Sequence, residues 1–141
     1  MPAKANAEWQ GDLRSGAGTF TAGDSIHGEY SFRTRFEDAP GANPEQLIGA
    51  AHAACFSMAV SNALAQAGTP VDSVKTGAVV TIRQIDGQAT IASIALHTVG
   101  VVPGIDEATF ERFAQDAKAG CIVSRALAGV PEITLEATLA G

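Results

Sequence analysis

One long helix made of small side chains constrains this chain more than any other feature. Asn43 has the form of an N-cap, Pro44 suits the first helical position, and Glu45 stands in the first turn, where the helix dipole favours negative charge. Helical sequence then runs to about residue 67. Gly68 offers a C-terminal cap, and Pro70 blocks continuation. The middle reads Ala50-Ala51-His52-Ala53-Ala54-Cys55-Phe56-Ser57-Met58-Ala59, so one imidazole and one thiol sit among alanines.

The rest must be arranged around that helix. Residues 5–36 carry glycines between short stretches holding Trp9, Phe20, Tyr30 and Phe32, which predicts a meander of short strands. In residues 30–36, alternation places Tyr30, Phe32, Thr34 and Phe36 on one strand face and Ser31, Arg33 and Arg35 on the other. Two β-branched runs, 73–84 and 89–101, flank Asp86-Gly87, a strong hairpin signal. A second helix is expected over about 106–119, a further helical piece over 121–128 and a last strand over 132–139. Strands, long helix, hairpin, helix, strand argue for an α+β fold in one domain, 1–141, with helices packed on antiparallel sheet.

Composition narrows the function. Of 141 residues, 46% are hydrophobic and 17% charged, enough apolar material for a real core. A formal net charge of −6 argues against nucleic acid as a partner. His52, Ser57 and Ser61 interrupt the longest apolar run, so no membrane span is expected, and the N-terminus has no signal-peptide core. The expected location is the cytoplasm, where two cysteines are rarely a permanent staple. Redox chemistry, metal binding and inert burial remain open.

Cys55 would share a helical face with Ile48, Ala51, Met58 and Ala59. Its bland role is that of a buried structural cysteine. It lies roughly three turns past the helix start, beyond the useful range of the dipole. A reactive Cys55 therefore needs a cation from elsewhere, and Arg33 and Arg35 are the nearest upstream. Cys121 follows Gly120 and can open a helix, so local physics alone favours it as the more reactive thiol. His52 could serve Cys55 as a base, fill a polar niche, or bind metal, with Cys55, Cys121 and His97 as the only obvious ligand pool. No strong zinc spacing is present. Glu45 has a good structural role at the helix start. Ten residues at a rise of about 1.5 Å put it roughly 15 Å from Cys55 along one helix. It could act by holding an arginine, or on the Cys55 of a second chain.

Arg35-Phe36, the run from Asn43-Pro44-Glu45-Gln46 through Ala51-His52-Ala53-Ala54-Cys55-Phe56-Ser57-Met58-Ala59, Val102-Pro103-Gly104-Ile105 and Ala117-Lys118-Ala119-Gly120-Cys121-Ile122-Val123-Ser124 together resemble the osmotically inducible protein C (OsmC) family of thiol peroxidases. Trp9-Gln10-Gly11-Asp12 and Glu132-Ile133-Thr134-Leu135 extend the resemblance over nearly the whole chain. The AAHAAC form is closer to the OsmC branch than to the organic hydroperoxide resistance (Ohr) branch. The resemblance implies an OsmC-like fold, with antiparallel sheets on a long central helix plus a second helix, in an intertwined homodimer with sites at the interface. It implies reduction of organic hydroperoxides, and of hydrogen peroxide less well, without haem, metal or flavin. Cys55 would be peroxidatic and Cys121 resolving, and a dithiol, lipoyl-type in the better-known branch, would restore both. Arg35 would stabilise the Cys55 thiolate and Glu45 would orient Arg35, at least one of them serving the other chain's Cys55. Ile122 stands where relatives often carry proline. Two other functions compete with this one: a redox-sensing or thiol-binding module with little turnover, and a structural dimer with inert cysteines.

Overall fold

A computed structural model describes residues 1–141. They fall into two compact units, Met1–Leu47 and Ile48–Gly141.

In the first unit, β1 (Ala5–Gln10), β2 (Ala17–Ala22) and β3 (Ile26–Tyr30) form an antiparallel sheet in chain order. Trp9 and Phe20 both pack on Tyr30, with ring centroids 5.4 and 6.0 Å away. Gly18 lies under these rings, and a Cβ there would come within 2.6 Å of Tyr30. The only buried residues of this unit are Gly18, Phe20 and Glu45, so it has little core of its own.

The expected strand over residues 30–36 is corrected here. The chain leaves the sheet at Tyr30 and forms a short helix, α1 (Phe32–Phe36). The cause is a capping box: Thr34 N–H donates to Ser31 Oγ at 3.2 Å, and Ser31 N–H donates to Thr34 Oγ1 at 2.9 Å. Helical spacing then brings Phe32 and Phe36 together, ring centroids 5.1 Å apart. The alternation of residue types was real, but Ser31 and Thr34 satisfied local backbone groups that a strand would have left to a neighbour.

The long helix α2 (Pro44–Gln66) opens as expected, with Gln46 N–H donating to Asn43 Oδ1 at 2.8 Å and Asn43 N–H to Gln46 Oε1 at 3.2 Å. It closes in a Schellman pair, Gly68 N–H to Ala65 O and Thr69 N–H to Leu64 O, with Gly68 at φ 86°.

In the second unit, β4 (Ser73–Ile85) and β5 (Gln88–Val101) make the expected hairpin, with Asp86 and Gly87 at φ 53° and 77°. A helical return through α3 (Glu107–Gly120) and α4 (Ile122–Ala126) leads to β6 (Glu132–Leu139). That return makes β6 parallel to β5, with Ile94 opposite Ile133 and Leu96 opposite Leu135, so the sheet is not wholly antiparallel. The core is built from Phe56, Val60 and Leu64 of α2, Ile94 and Leu96 of β5, and Phe110 and Ala114 of α3. Each fully buried large side chain is worth about 1.5–3 kcal/mol. Phe110 seats against Gly100, where any Cβ would penetrate the ring.

By length and composition alone α2 is long and apolar enough to cross a membrane, a test that the core helix of a soluble protein also passes. Only 28% of its most apolar window is buried within the chain. Its buried line, Gly49, His52, Phe56, Val60 and Leu64, nevertheless packs inward. The uncovered line is Ala50, Ala51, Ala54 and Met58.

Candidate active site

The two upstream arginines part company on α1. Arg33 makes a loose, exposed pair with Glu37 at 3.6 Å. Arg35 turns to Glu45: its Nε and Nη2 donate to Glu45 Oε1 at 2.9 and 2.7 Å, and Nε lies 3.3 Å from Oε2. Glu45 is buried, and the Arg35 side chain keeps 39% exposure. Asn43 makes this meeting possible. Its Nδ2 donates to Thr34 O at 3.0 Å and ties the end of α1 to the start of α2. Local chain geometry thus presents one oriented guanidinium with an open side. Glu45 and Cys55 lie on one unbroken helix, so the carboxylate itself stays about three turns from the thiol of its own chain.

Both cysteines are free thiols, with Cys55 half-buried and Cys121 buried. Cys121 belongs to the apolar core cluster, and Cys55 packs against that cluster from its edge. The face that the sequence assigns to Cys55 therefore points partly outward, with Ala51 and Met58 exposed. Access favours Cys55, the reverse of the ranking by local helix position. A nucleophile that receives a substrate from outside must be reachable, and Cys121 is 4% exposed.

Cys121 caps α4: Ser124 N–H donates to its Sγ at 3.2 Å. Its own thiol donates to Ser124 Oγ at 3.1 Å, and Ser124 Oγ lies 2.7 Å from His52 Nε2. His52 is therefore bonded through Ser124 to the second thiol. Burial pushes its imidazole below the ordinary histidine range, so it rests neutral. Sequence reasoning missed Ser124. The signal was its position three residues after a cysteine that opens a helical turn. His97 pairs with Glu136 on the exposed side of the β5–β6 pair at 2.9 Å. No group of three or more His, Cys, Asp or Glu residues is placed to hold a metal ion. A second polar line, Ser57 Oγ to Thr76 Oγ1 at 2.7 Å and on to Thr98 Oγ1 at 3.0 Å, fastens α2 to β4 and β5.

One free thiol within the apolar cluster and a second, more accessible one packed against it, in an α+β fold, are arranged as a thiol-redox protein would need them. Residues 36–136 match the family described as OsmC-like protein, and the chain belongs to that family. It is 47% identical over 135 residues, 94% of this chain and 93% of the other, to proteins named peroxiredoxin OsmC from Escherichia coli strain K12 and from Shigella flexneri. The fold matches a Legionella pneumophila structure described as an organic hydroperoxide resistance protein OsmC, at TM-score 0.74 and 19% identity over 98% of this chain and 97% of that one. It also matches the organic hydroperoxide resistance protein OhrB of Bacillus subtilis, at TM-score 0.69 and 21% identity over 97% and 98%.

Proposed function

We infer that this chain is a cysteine peroxidase acting on organic hydroperoxides, and on hydrogen peroxide less well, in defence against oxidative and osmotic stress. The observation that carries the reading is a reachable free thiol, Cys55, at the edge of the same apolar cluster that contains a second, sheltered free thiol. The Cys55 thiolate attacks the terminal peroxide oxygen. The S–O bond forms, the O–O bond breaks, and the alcohol leaves after taking up a proton. The Cys121 thiolate then attacks the sulfur of the Cys55 sulfenic acid; the S–S bond forms, the S–O bond breaks, and the leaving hydroxide takes up the proton that Cys121 gave up on ionising, giving a disulfide and water. An external dithiol, of lipoyl type, reduces the disulfide, and no haem, metal or flavin takes part.

Arg35, held by Glu45, stabilises the Cys55 thiolate and orients the peroxide. One helix cannot bring Glu45 to its own Cys55, so this arginine–carboxylate pair serves the thiol of a second chain in an intertwined homodimer. The scarcity of buried residues in Met1–Leu47 supports that reading, as does the uncovered alanine line of α2. Residues 1–141 then work as one OsmC-like domain per copy, in the cytoplasm. The apolar surroundings of Cys55 suit an alkyl peroxide better than hydrogen peroxide.

Consumption of cumene hydroperoxide with a dithiol tests this. Wild type should turn over, Cys55→Ser should be inactive, and Cys121→Ser should consume about one peroxide per thiol and stop. The burial of Cys121 favours a second reading, a redox sensor that closes its disulfide but turns over slowly. Stoichiometric oxidation without turnover in wild type would establish that instead.

A further inference from the structure

We propose that Ser124 and His52 form a proton relay that ionises Cys121 for disulfide closure, with Ser124 touching the reacting sulfur and His52 acting through it. The proposal rests on the peroxidase reading only for its physiological setting, because any leaving group on Cys55 calls for the same closure step.

Three atoms of different elements stand in line inside the second unit: Cys121 Sγ, Ser124 Oγ 3.1 Å away, and His52 Nε2 a further 2.7 Å on. All three residues are buried, at 4%, 6% and 0% exposure. The line can be written in two directions without moving a side chain. With the thiol protonated, S–H donates to Ser124 Oγ and Ser124 O–H donates to Nε2. With the thiol ionised, Sγ accepts from both the N–H and the O–H of Ser124, while Ser124 Oγ accepts from Nε2–H. A geometry that satisfies both ends of a proton transfer needs little reorganisation during it.

His52 Nδ1 is the one buried side-chain nitrogen or oxygen in the chain with no hydrogen-bond partner. An imidazole that serves as structural filler is ordinarily held at both nitrogens, and the partner of one nitrogen fixes the tautomer of the other. Here the bond to Ser124 alone decides it, and nothing competes for Nε2. Burial keeps the ring neutral, with Nε2 able to accept, and disfavours the imidazolium, so the protonated ring is only a transient of the step.

The step balances. The Cys121 proton passes to Ser124 Oγ as the Ser124 proton passes to His52 Nε2. The Cys121 thiolate attacks Cys55 sulfur, the S–S bond forms, and the S–O bond of the sulfenic acid breaks. The leaving hydroxide takes up a proton, His52 gives up its extra one, and the net product is water. Solvent is scarce around Cys121, so an internal acceptor is what lets a sheltered resolving thiol ionise.

Closure is measured directly by converting Cys55 to a mixed disulfide with an aromatic chromogenic disulfide and timing release of the second aromatic thiolate as Cys121 attacks. The peroxide reaction is followed in parallel. His52→Gln, which keeps a hydrogen-bonding group but is not a base, and Ser124→Ala should each slow closure by roughly 10²-fold. Ser124→Thr, which keeps the hydroxyl, should recover most of the rate. Wild-type closure should run slower in heavy water, and that isotope effect should shrink in His52→Gln. Closure by His52→Gln at the wild-type rate, or wild-type closure indifferent to deuterium, would overturn the relay. The isotope measurement needs no variant, so a folding failure does not block it. Inert Cys55 toward peroxide with normal closure from the mixed disulfide would instead sink the peroxidase reading alone.

Discussion

Replacing Glu45 by glutamine removes one charge from the Arg35 pair and leaves the side chain's size unchanged. Both donors of the guanidinium edge converge on one carboxylate oxygen, at 2.9 and 2.7 Å. Breaking a fully buried pair of this kind costs about 3–5 kcal/mol, and an exposed pair contributes about 0–1. The Glu45 side chain is 8% exposed and that of Arg35 39%. Water therefore screens the cationic end, and the coupling should fall between those limits, at about 1–2 kcal/mol. A double-mutant cycle over Glu45→Gln, Arg35→Met and the double variant, by denaturant unfolding at fixed protein concentration, measures it. The same variants report on chemistry. Glu45→Gln should slow Cys55 oxidation by roughly tenfold, the effect of about 1.4 kcal/mol of lost transition-state positioning. Arg35→Lys should lose more, because a point charge cannot reproduce the two-donor edge. Coupling near zero with oxidation at the wild-type rate in Glu45→Gln would refute the argument that Glu45 holds Arg35 in place.

Gly100→Ala should destabilise the second unit by about 1–3 kcal/mol, because the new methyl enters the Phe110 ring, and Phe110→Leu in the same chain should recover part of the loss; melting temperatures of the three variants check it. The Asp106 carboxylate caps α3 by accepting from Thr109 N–H at 2.8 Å, and the hydrogen bonds from Thr109 hold its pKa below the usual 3.8. A folded value below the unfolded one means that the stabilisation is present above the ordinary carboxylate range and lost as pH falls through the folded value. Asp106→Asn should therefore flatten the acid limb of a plot of melting temperature against pH while keeping the cap.

The helix α2 was legible almost to the residue, because its caps are local: Asn43 with Gln46 at one end, Gly68 with its positive φ at the other. The hairpin was legible for the same reason, since Asp86-Gly87 selects its own turn. Residues 30–36 misled because alternation was weighed and the Ser31–Thr34 pair was not, although both speak at short range. The parallel direction of β6 was hidden, since it depends on where two helices return the chain and no strand residue encodes that. At the site, Cys55, Cys121, Arg35 and Glu45 were named from the resemblance. The Arg35–Glu45 bond was foreseeable as chemistry but not as geometry, because it hangs on the Asn43–Thr34 tie between two helices. Ser124 was missed although its spacing from Cys121 marks a helical cap, because its link to His52 lies 72 residues away in sequence and shows only in the folded chain.

The alanines around Cys55 bear on how two copies could share a site. When two copies of one helix run antiparallel about a two-fold axis, each residue lies opposite its mirror position across the point where the axis crosses. Placing Glu45 of one copy beside Cys55 of the other requires the axis to cross midway between them, at Ala50. That stretch is where α2 leaves its smallest side chains, Ala50, Ala51 and Ala54, uncovered. Side chains of that size allow the roughly 8 Å interaxial distance at the tight end of helix packing. In that proposed arrangement, larger residues would hold the two copies of α2 too far apart for Arg35 of one to meet Cys55 of the other. A residue on the axis meets its own copy, so in a chain lacking both native cysteines Ala50→Cys should oxidise to a covalent dimer faster than Ala54→Cys or Met58→Cys. Non-reducing electrophoresis after mild oxidation reads the order. Fastest closure at position 58 would move the axis there and set Glu45 opposite a point beyond the end of α2, at Gln66. The arginine–carboxylate pair could then not serve the second chain's Cys55, and each chain would have to complete its own site.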